Sequence, residues 1–295
     1  MPTACSKNIH IAYEEHGNRN APAIIFIHGL GMPLTAWPDS WHQFFVNSGY
    51  RVIRVDNRDS GQSDELTHLP VPSVGQILKA SLFNKIIPCA YTLEDMSDDI
   101  IAVMDHLRIK KAHIVGVSMG GMISQYLMIQ HAARIRSVTL MMTMSGNRSL
   151  PHPSMRVQWQ LIRQPRHKNS AKIAKRLEKL WKTIGSPAYL PSPVELSTYV
   201  SGLMQRGFYP EGTLRQLGAI LGEGDRSPLL QQAKLPVFII HGQSDPLLPL
   251  PCGKQLASVI PHAQLHTEPG MGHDLPKPIE KKLMAMILKH ISEHL

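Results

Sequence analysis

Only three cysteines occur in 295 residues. Cys5, Cys89 and Cys252 are odd in number, far apart and free of any C-x-x-C pairing, which excludes a disulfide framework or zinc ribbon and predicts reduced thiols. Nowhere do 18 apolar residues follow one another, so no segment reads as a membrane span. Met1 to Ile9 holds no apolar run between a basic start and a small-residue cleavage site, so it does not read as an export signal. These absences together predict a cytoplasmic protein with no stable membrane insertion. Internal repeats, low-complexity tracts and zinc-finger, KH or RNP signatures are also missing.

Hydrophobic residues make up 43% of the chain, enough for a substantial core, and disorder is excluded on that ground. The formal charge of +9 suggests a phosphate-binding surface, but most of the excess is local. Arg156, Arg163, Arg166, Lys168, Lys172, Lys175, Arg176, Lys179 and Lys182 crowd one segment. Within it Ile173, Leu177 and Leu180 fall at helical spacing. The pattern predicts a helix with a buried stripe and a solvated basic face, and no nucleic-acid partner is expected.

Short β-branched runs alternate with helical patterns, the signature of buried parallel strands joined by crossover helices. Strands are expected at Ala23 to His28, Tyr50 to Asp56, Ala112 to Val117, Val138 to Met142, Val237 to His241 and Gln264 to Glu268. Ile9 to Glu15 alternates and should pair as an antiparallel edge. Leu93 to Leu107 and Ile279 to Ile291 carry helical periodicity and should cover the sheet. The fold class is therefore α/β, a mostly parallel, doubly wound sheet. Two stretches interrupt the rhythm after strands, at the end where such sheets build their crevices: Leu66 to Tyr91, and Met144 to about Ala233. The second has helical patterns and no convincing strand. It is expected to be a helical lid inserted after the sixth strand, leaving 1–143 and 234–295 as the core.

The strongest local signal is Gly116-Val117-Ser118-Met119-Gly120, which follows an apolar strand and opens the helical pattern Met122 to Gln130. The bare G-x-S-x-G arises by chance in about one chain in ten of this length. Strand before and helix after turn it into a nucleophile elbow, with Ser118 lifted out of the sheet at a helix N-terminus. A serine hydroxyl needs a base to take its proton and a third group to hold that base. His273, in Gly270-Met271-Gly272-His273-Asp274 after the last strand, is the expected base. Asp245, in His241-Gly242-Gln243-Ser244-Asp245-Pro246 after the preceding strand, is the expected orienting acid. The order Ser, Asp, His is that of the elbow-type hydrolases.

Of sixteen histidines, His28 and His241 each end a strand before glycine and are read as structural. Among rival acids, Asp274 stands too near His273 in sequence to orient it, and Asp56 and Asp59 are read as a charge-laced turn. The oxyanion needs two donors, for which the amides of Leu30, in His28-Gly29-Leu30-Gly31, and Met119 are the candidates. Met144, Trp159, Met204, Phe208 and Met271 are the candidate substrate contacts, implying an apolar, adaptable site. No arginine clamp for an acidic substrate is placed.

Taken together, H-G-L-G, D-N-R-D-S-G-Q-S, G-V-S-M-G-G-M, H-G-Q-S-D-P-L-L-P and G-M-G-H-D-L-P resemble the α/β-hydrolase superfamily across nearly the whole chain. The R-D-S-G turn, P-C-A-Y-T-L-E-D-M and S-G-N-R-S-L-P are similar to bacterial esterases of the aclacinomycin methylesterase type. The resemblance implies a serine carboxylic-ester hydrolase with an acyl-enzyme intermediate, a lid, a small-molecule ester as substrate, and no metal or organic cofactor. Lactones, thioesters, amides or C–C bonds would use the same acyl chemistry, as would acyl transfer. A non-catalytic ligand receptor on the same scaffold stands as the alternative of another class. Dehalogenase or epoxide-hydrolase chemistry would need an aspartate at position 118.

Overall fold

The computed structural model describes residues 1–83, 85–162 and 170–295; Arg163, Arg166 and Lys168 of the basic segment lie outside them. Eight strands form a single sheet: β1 (Thr3–Ser6), β2 (Ile9–His16), β3 (Ala23–Ile27), β4 (Arg51–Val55), β5 (Ala112–Val117), β6 (Ile135–Met141), β7 (Val237–Gly242) and β8 (Gln264–Glu268). Their spatial order is β1-β2-β4-β3-β5-β6-β7-β8. β1 and β2 are antiparallel, as are β2 and β4, and every other neighbouring pair runs parallel. β3, β4, β5 and β7 are buried along their whole length, which explains why they read as continuous apolar runs. β1 was not anticipated. Thr-Ala-Cys-Ser carries no apolar run, and only its pairing with Ile9 to Ala12 makes it a strand.

Helices α1 (Asp39–Asn47), α2 (Val74–Phe83), α3 (Leu93–His106) and α4 (Met119–Gln130) precede β6. Five more, α5 (Met155–Ile162), α6 (Ser170–Ile184), α7 (Pro193–Arg206), α8 (Pro210–Leu221) and α9 (Ser227–Leu230), lie between β6 and β7. Then come α10 (Leu250–Val259) and α11 (Glu280–Ser292). Met96, Ile100 and Val103 of α3 pack with Ile123 and Leu127 of α4 and Leu256 of α10 against one face of the sheet. Trp41 and Phe45 of α1 and Leu283, Ile287 and Ile291 of α11 cover the other. Two layers of helix over a parallel sheet force the binding crevice to the strands' C-terminal ends.

Two helices open on reciprocal side-chain caps. Thr92 accepts from Asp95 N while Asp95 reaches back to Thr92 N, a reciprocal capping box that opens α3. Ser192 and Glu195 do the same for α7, with Pro193 in its first turn. In α6 Ile173 and Leu177 are buried and Leu180 half-buried while Lys172, Lys175, Lys179 and Lys182 are exposed, close to the amphipathic arrangement read from the spacing. Their apolar partners are Leu196, Val200 and Leu203 of α7 and Met32 of the loop after β3.

Candidate active site

The turn from β5 into α4 leaves Ser118 at φ +55° and ψ −119°. That conformation is costly for an L-residue with a side chain, on the order of 1–3 kcal/mol, and persists only where surroundings hold it. They do so on three sides. Ser118 N donates to Met141 O at 2.9 Å, while Ser118 O accepts from Met122 N at 3.2 Å and from Thr143 Oγ1 at 2.7 Å. Glycine is required two residues on, because any Cβ at Gly120 would collide with the carbonyl oxygen of Ile27 at the end of β3. Helix α4 therefore begins hard against β3.

The loop after β3 passes beside the nucleophile: a Cβ on Gly29 would stand 3.0 Å from Ser118 Cβ and 3.4 Å from its Oγ. Gly29 N donates to His28 Nδ1 at 2.7 Å, and Gly31 N to Gln216 Oε1 of α8 at 2.6 Å. Asn57 Nδ2 holds His28 O at 3.0 Å. Between these pinned amides the N–H of Leu30 has no protein acceptor among the described residues, and nor has that of Met119. Burial lowers the pKa of His28 to about 3, with a smaller push in the same direction from His273, so its ring is neutral and can accept from Gly29.

Asp245 sits in the turn after β7, its side chain fully buried. Its Oδ1 accepts from Leu247 N and Leu248 N, each at 2.8 Å, and its Oδ2 accepts from His273 Nδ1 at 2.7 Å. One oxygen closes the turn and the other fixes the imidazole, so Nδ1 carries the proton and Nε2 is left as the basic nitrogen. His241 lies 3.8 Å from the same Oδ2 but spends its Nε2 on Leu248 O at 2.7 Å. Its pKa is lowered by burial, which fits a structural ring at the strand end. The loop carrying His273 folds back over β7, with Ser244 N donating to Met271 O at 2.9 Å.

Asp274 is occupied elsewhere: its carboxylate accepts from the N–H and hydroxyl of Ser186. Asp56 accepts from Leu34 N, Gln62 N and Arg206. Asp59 forms a two-bond pair with Arg215 of α8 and accepts from Tyr91 Oη, all within the core. Both aspartates thus tie the turn after β4 to helices α7 and α8.

A cavity of about 180 Å³ opens at Ser118. Leu30, Ile77, Met122, Met144, Leu217 and Leu248 supply much of its apolar wall, and Arg148, His152, Glu223 and Arg226 its polar groups. Of the candidate substrate contacts, Met144 lines it. Met204 and Phe208 pack instead against the Met32–α6–α7 cluster, and Met271 is fully buried against the sheet. Trp159 is half exposed and outside the wall. Ile77 of α2 and Leu217 of α8 belong to the two interrupting stretches expected beside the crevice, although neither was among the candidate contacts, since helical spacing names a buried face without naming what that face borders.

The two arginines are the larger surprise. Arg148 Nη2 donates to Leu221 O and Glu223 O, each at 3.0 Å. Arg226 donates to Gln125 Oε1 and Met144 O and stacks over the Tyr126 ring. Tyr126 Oη donates to Glu223, and burial with that carboxylate lifts the phenol well above its ordinary value. Arg148 stands in the S-G-N-R-S-L-P motif, and that motif was the only advance sign.

A family model described as alpha/beta hydrolase fold matches residues 22–276. The chain belongs to this family. Among alpha/beta hydrolases it is 26% identical to rhodomycin D methylesterase DnrP of Streptomyces peucetius, over 98% of each chain. It is 28% identical to 3-oxoadipate enol-lactonase 2 of Acinetobacter baylyi, over 89% of this chain and 86% of that protein. Its fold superimposes on the enol-lactonase from Burkholderia xenovorans LB400 with a TM-score of 0.76 at 23% identity, covering 99% and 100% of the two chains. The family is one of hydrolases, with small-molecule-directed enzymes among these relatives. No helix among the described residues is long and apolar enough to cross a membrane.

Proposed function

We propose that this alpha/beta hydrolase cleaves carboxylic esters of small, largely apolar substrates through an acyl-enzyme on Ser118. The observation that carries the reading is the strained serine at the head of α4, opening onto a mostly apolar cavity. The fixed Asp245–His273 pair supports it, as does the methylesterase relative.

In this reading Ser118 Oγ attacks the ester carbonyl and His273 Nε2 takes the hydroxyl proton. Asp245 holds the ring and stabilises the imidazolium that forms. The carbonyl oxygen becomes an oxyanion, received by the amides of Leu30 and Met119, each such donor being worth ~3 kcal/mol in the transition state. The positive end of α4 adds to that stabilisation. The tetrahedral adduct collapses, the C–O bond breaks, and His273 returns its proton to the departing alcohol. Water then repeats the sequence on the acyl-enzyme, releasing the carboxylic acid and restoring Ser118.

Residues 144–233 act as the lid over this site and 1–143 with 234–295 as the catalytic core. The lid contributes Leu161, Leu217 and Ile220 to the wall, so it sets which acyl or alcohol group fits. A lactone is a cyclic ester and reaches the same acyl-enzyme, which is why lactones belong beside open-chain esters in any panel.

The test is turnover of such a panel, graded in acyl length, by wild type and Ser118→Ala. Wild type should favour compact apolar acyl groups, and the variant should lose about 10⁴-fold or more in kcat, the scale seen when an activated serine is removed. Equal turnover by both proteins would rule the reading out.

A further inference from the structure

Two chain segments far apart in sequence run against each other beside the base. One is the stretch 184–189 that leaves α6; the other is the loop 269–274 that carries His273. His273 N donates to Ile184 O at 2.7 Å, and Ala188 N donates to Gly270 O at 3.3 Å. Gly272 N donates to Ser186 Oγ at 2.8 Å. The Ser186 hydroxyl donates in turn to Asp274, whose two oxygens also accept Ser186 N at 3.1 Å each. The packing leaves no room for more: a Cβ on Gly272 would lie 2.5 Å from the Gly185 carbonyl.

Ser186 is therefore a relay whose hydroxyl accepts from the residue before His273 and donates to the residue after it. It is fully buried, and so the bonds are shielded from competing water. Burial raises the pKa of Asp274, the Ser186 hydrogen bonds oppose that rise, and the charge of His273 is close enough to favour the carboxylate too. The imidazole is consequently fixed from two directions. Asp245 of the core holds its ring at Nδ1, and the α6 segment holds its backbone on both sides.

We propose that Ser186 and Asp274 are positioning residues for the general base, setting the place of His273 from the helical insertion rather than from the core. The proposal rests on the reading of His273 as the base for Ser118. It makes α6 a determinant of turnover and not only of substrate fit. Displacement of the reacting groups by about 1 Å can cost ~100-fold in rate, and among the described contacts the Ser186 relay is what ties residues 272 and 274 to the insertion, beside the single backbone bond from His273 N to Ile184 O.

The experiment compares wild type, Ser186→Ala and Asp274→Asn with an activated ester, following kcat and KM across pH, with labelling of Ser118 by a fluorophosphonate alongside. Both variants should lose 10-fold to 100-fold in kcat with KM changed less than about twofold, the split expected when only the reacting geometry is disturbed. Labelling of Ser118 should slow in parallel. Loss in kcat at a kept KM, matched by slower labelling, is a pattern that a merely structural role would not produce. Should Ser186→Ala melt early, Asp274→Asn, which keeps the outline of the side chain, carries the comparison. Variants matching wild type in kcat, with Ser118 labelled normally, would overturn the proposal and leave the ester reading standing. A wild type that is itself neither labelled nor active would overturn both.

Discussion

In the proposed mechanism single residues carry the chemistry at a measurable cost to the fold. Ser118 holds a positive φ that only glycine adopts without strain, and three backbone-directed hydrogen bonds keep it there. Relief of that strain should stabilise the protein. Ser118→Gly is expected to raise the unfolding free energy by about 1 kcal/mol while abolishing ester turnover, the trade found where active sites store strain. Urea denaturation followed by near-UV circular dichroism checks it; a variant less stable than wild type would mean the turn is not strained. Much at this level was legible in sequence. G-V-S-M-G after an apolar run implied the elbow, and Asp245 and His273 each follow a strand in a glycine-rich turn. Asp274 and Ser186 were not legible, because 88 residues separate them and their pairing depends on how α6 returns across the last loop.

Among the elements, periodicity identified type better than extent or surroundings. The expected strand Ala112 to Val117 and the observed one coincide, whereas Val138 to Met142 begins at Ile135 in the structure, because Arg136 breaks the apolar run although its backbone pairs in the sheet. α4 starts at Met119, three residues before its expected beginning, since Met119, Gly120 and Gly121 lack a periodic signal and become helical only through the elbow. In the insertion, Met204 and Phe208 were correctly apolar yet face the Met32 cluster rather than the cavity. Spacing of 3.6 tells which residues share a face; the crossing of α7 over α6 decides what that face meets. The same limit hid Arg215 and Arg206. Both look like surface cations in sequence, yet they reach back 156 and 150 residues to Asp59 and Asp56 respectively.

The whole molecule should answer to acid through its buried histidines. Burial lowers His28 to about 3, and His113 and His290 each to about 4, against 6.5 when exposed. A group whose folded pKa is depressed takes up its proton in the unfolded chain first. Stability from these three is therefore fully present above pH 6.5 and is lost as pH falls from there toward 4. Each contributes up to about 1.4 kcal/mol per pH unit within that window. Asp56, Asp99 and Asp274 have folded pKa values raised by burial and act with the opposite sign, their contribution being largest at low pH. The melting temperature is expected to drop between pH 7 and pH 5, with a shallower slope in His113→Asn, which replaces the titrating imidazole with a neutral amide. A flat profile across that interval would show that these rings are not neutral in the folded state.

Everything distinctive here depends on Ser118 being an activated nucleophile, and the most direct measurement is where a fluorophosphonate attaches. Peptide mass spectrometry of the treated protein should find one label per chain, on the peptide containing Ser118, and almost none in His273→Ala. Labelling at another residue, no labelling at all, or undiminished labelling of Ser118 when His273 is gone would contradict the account.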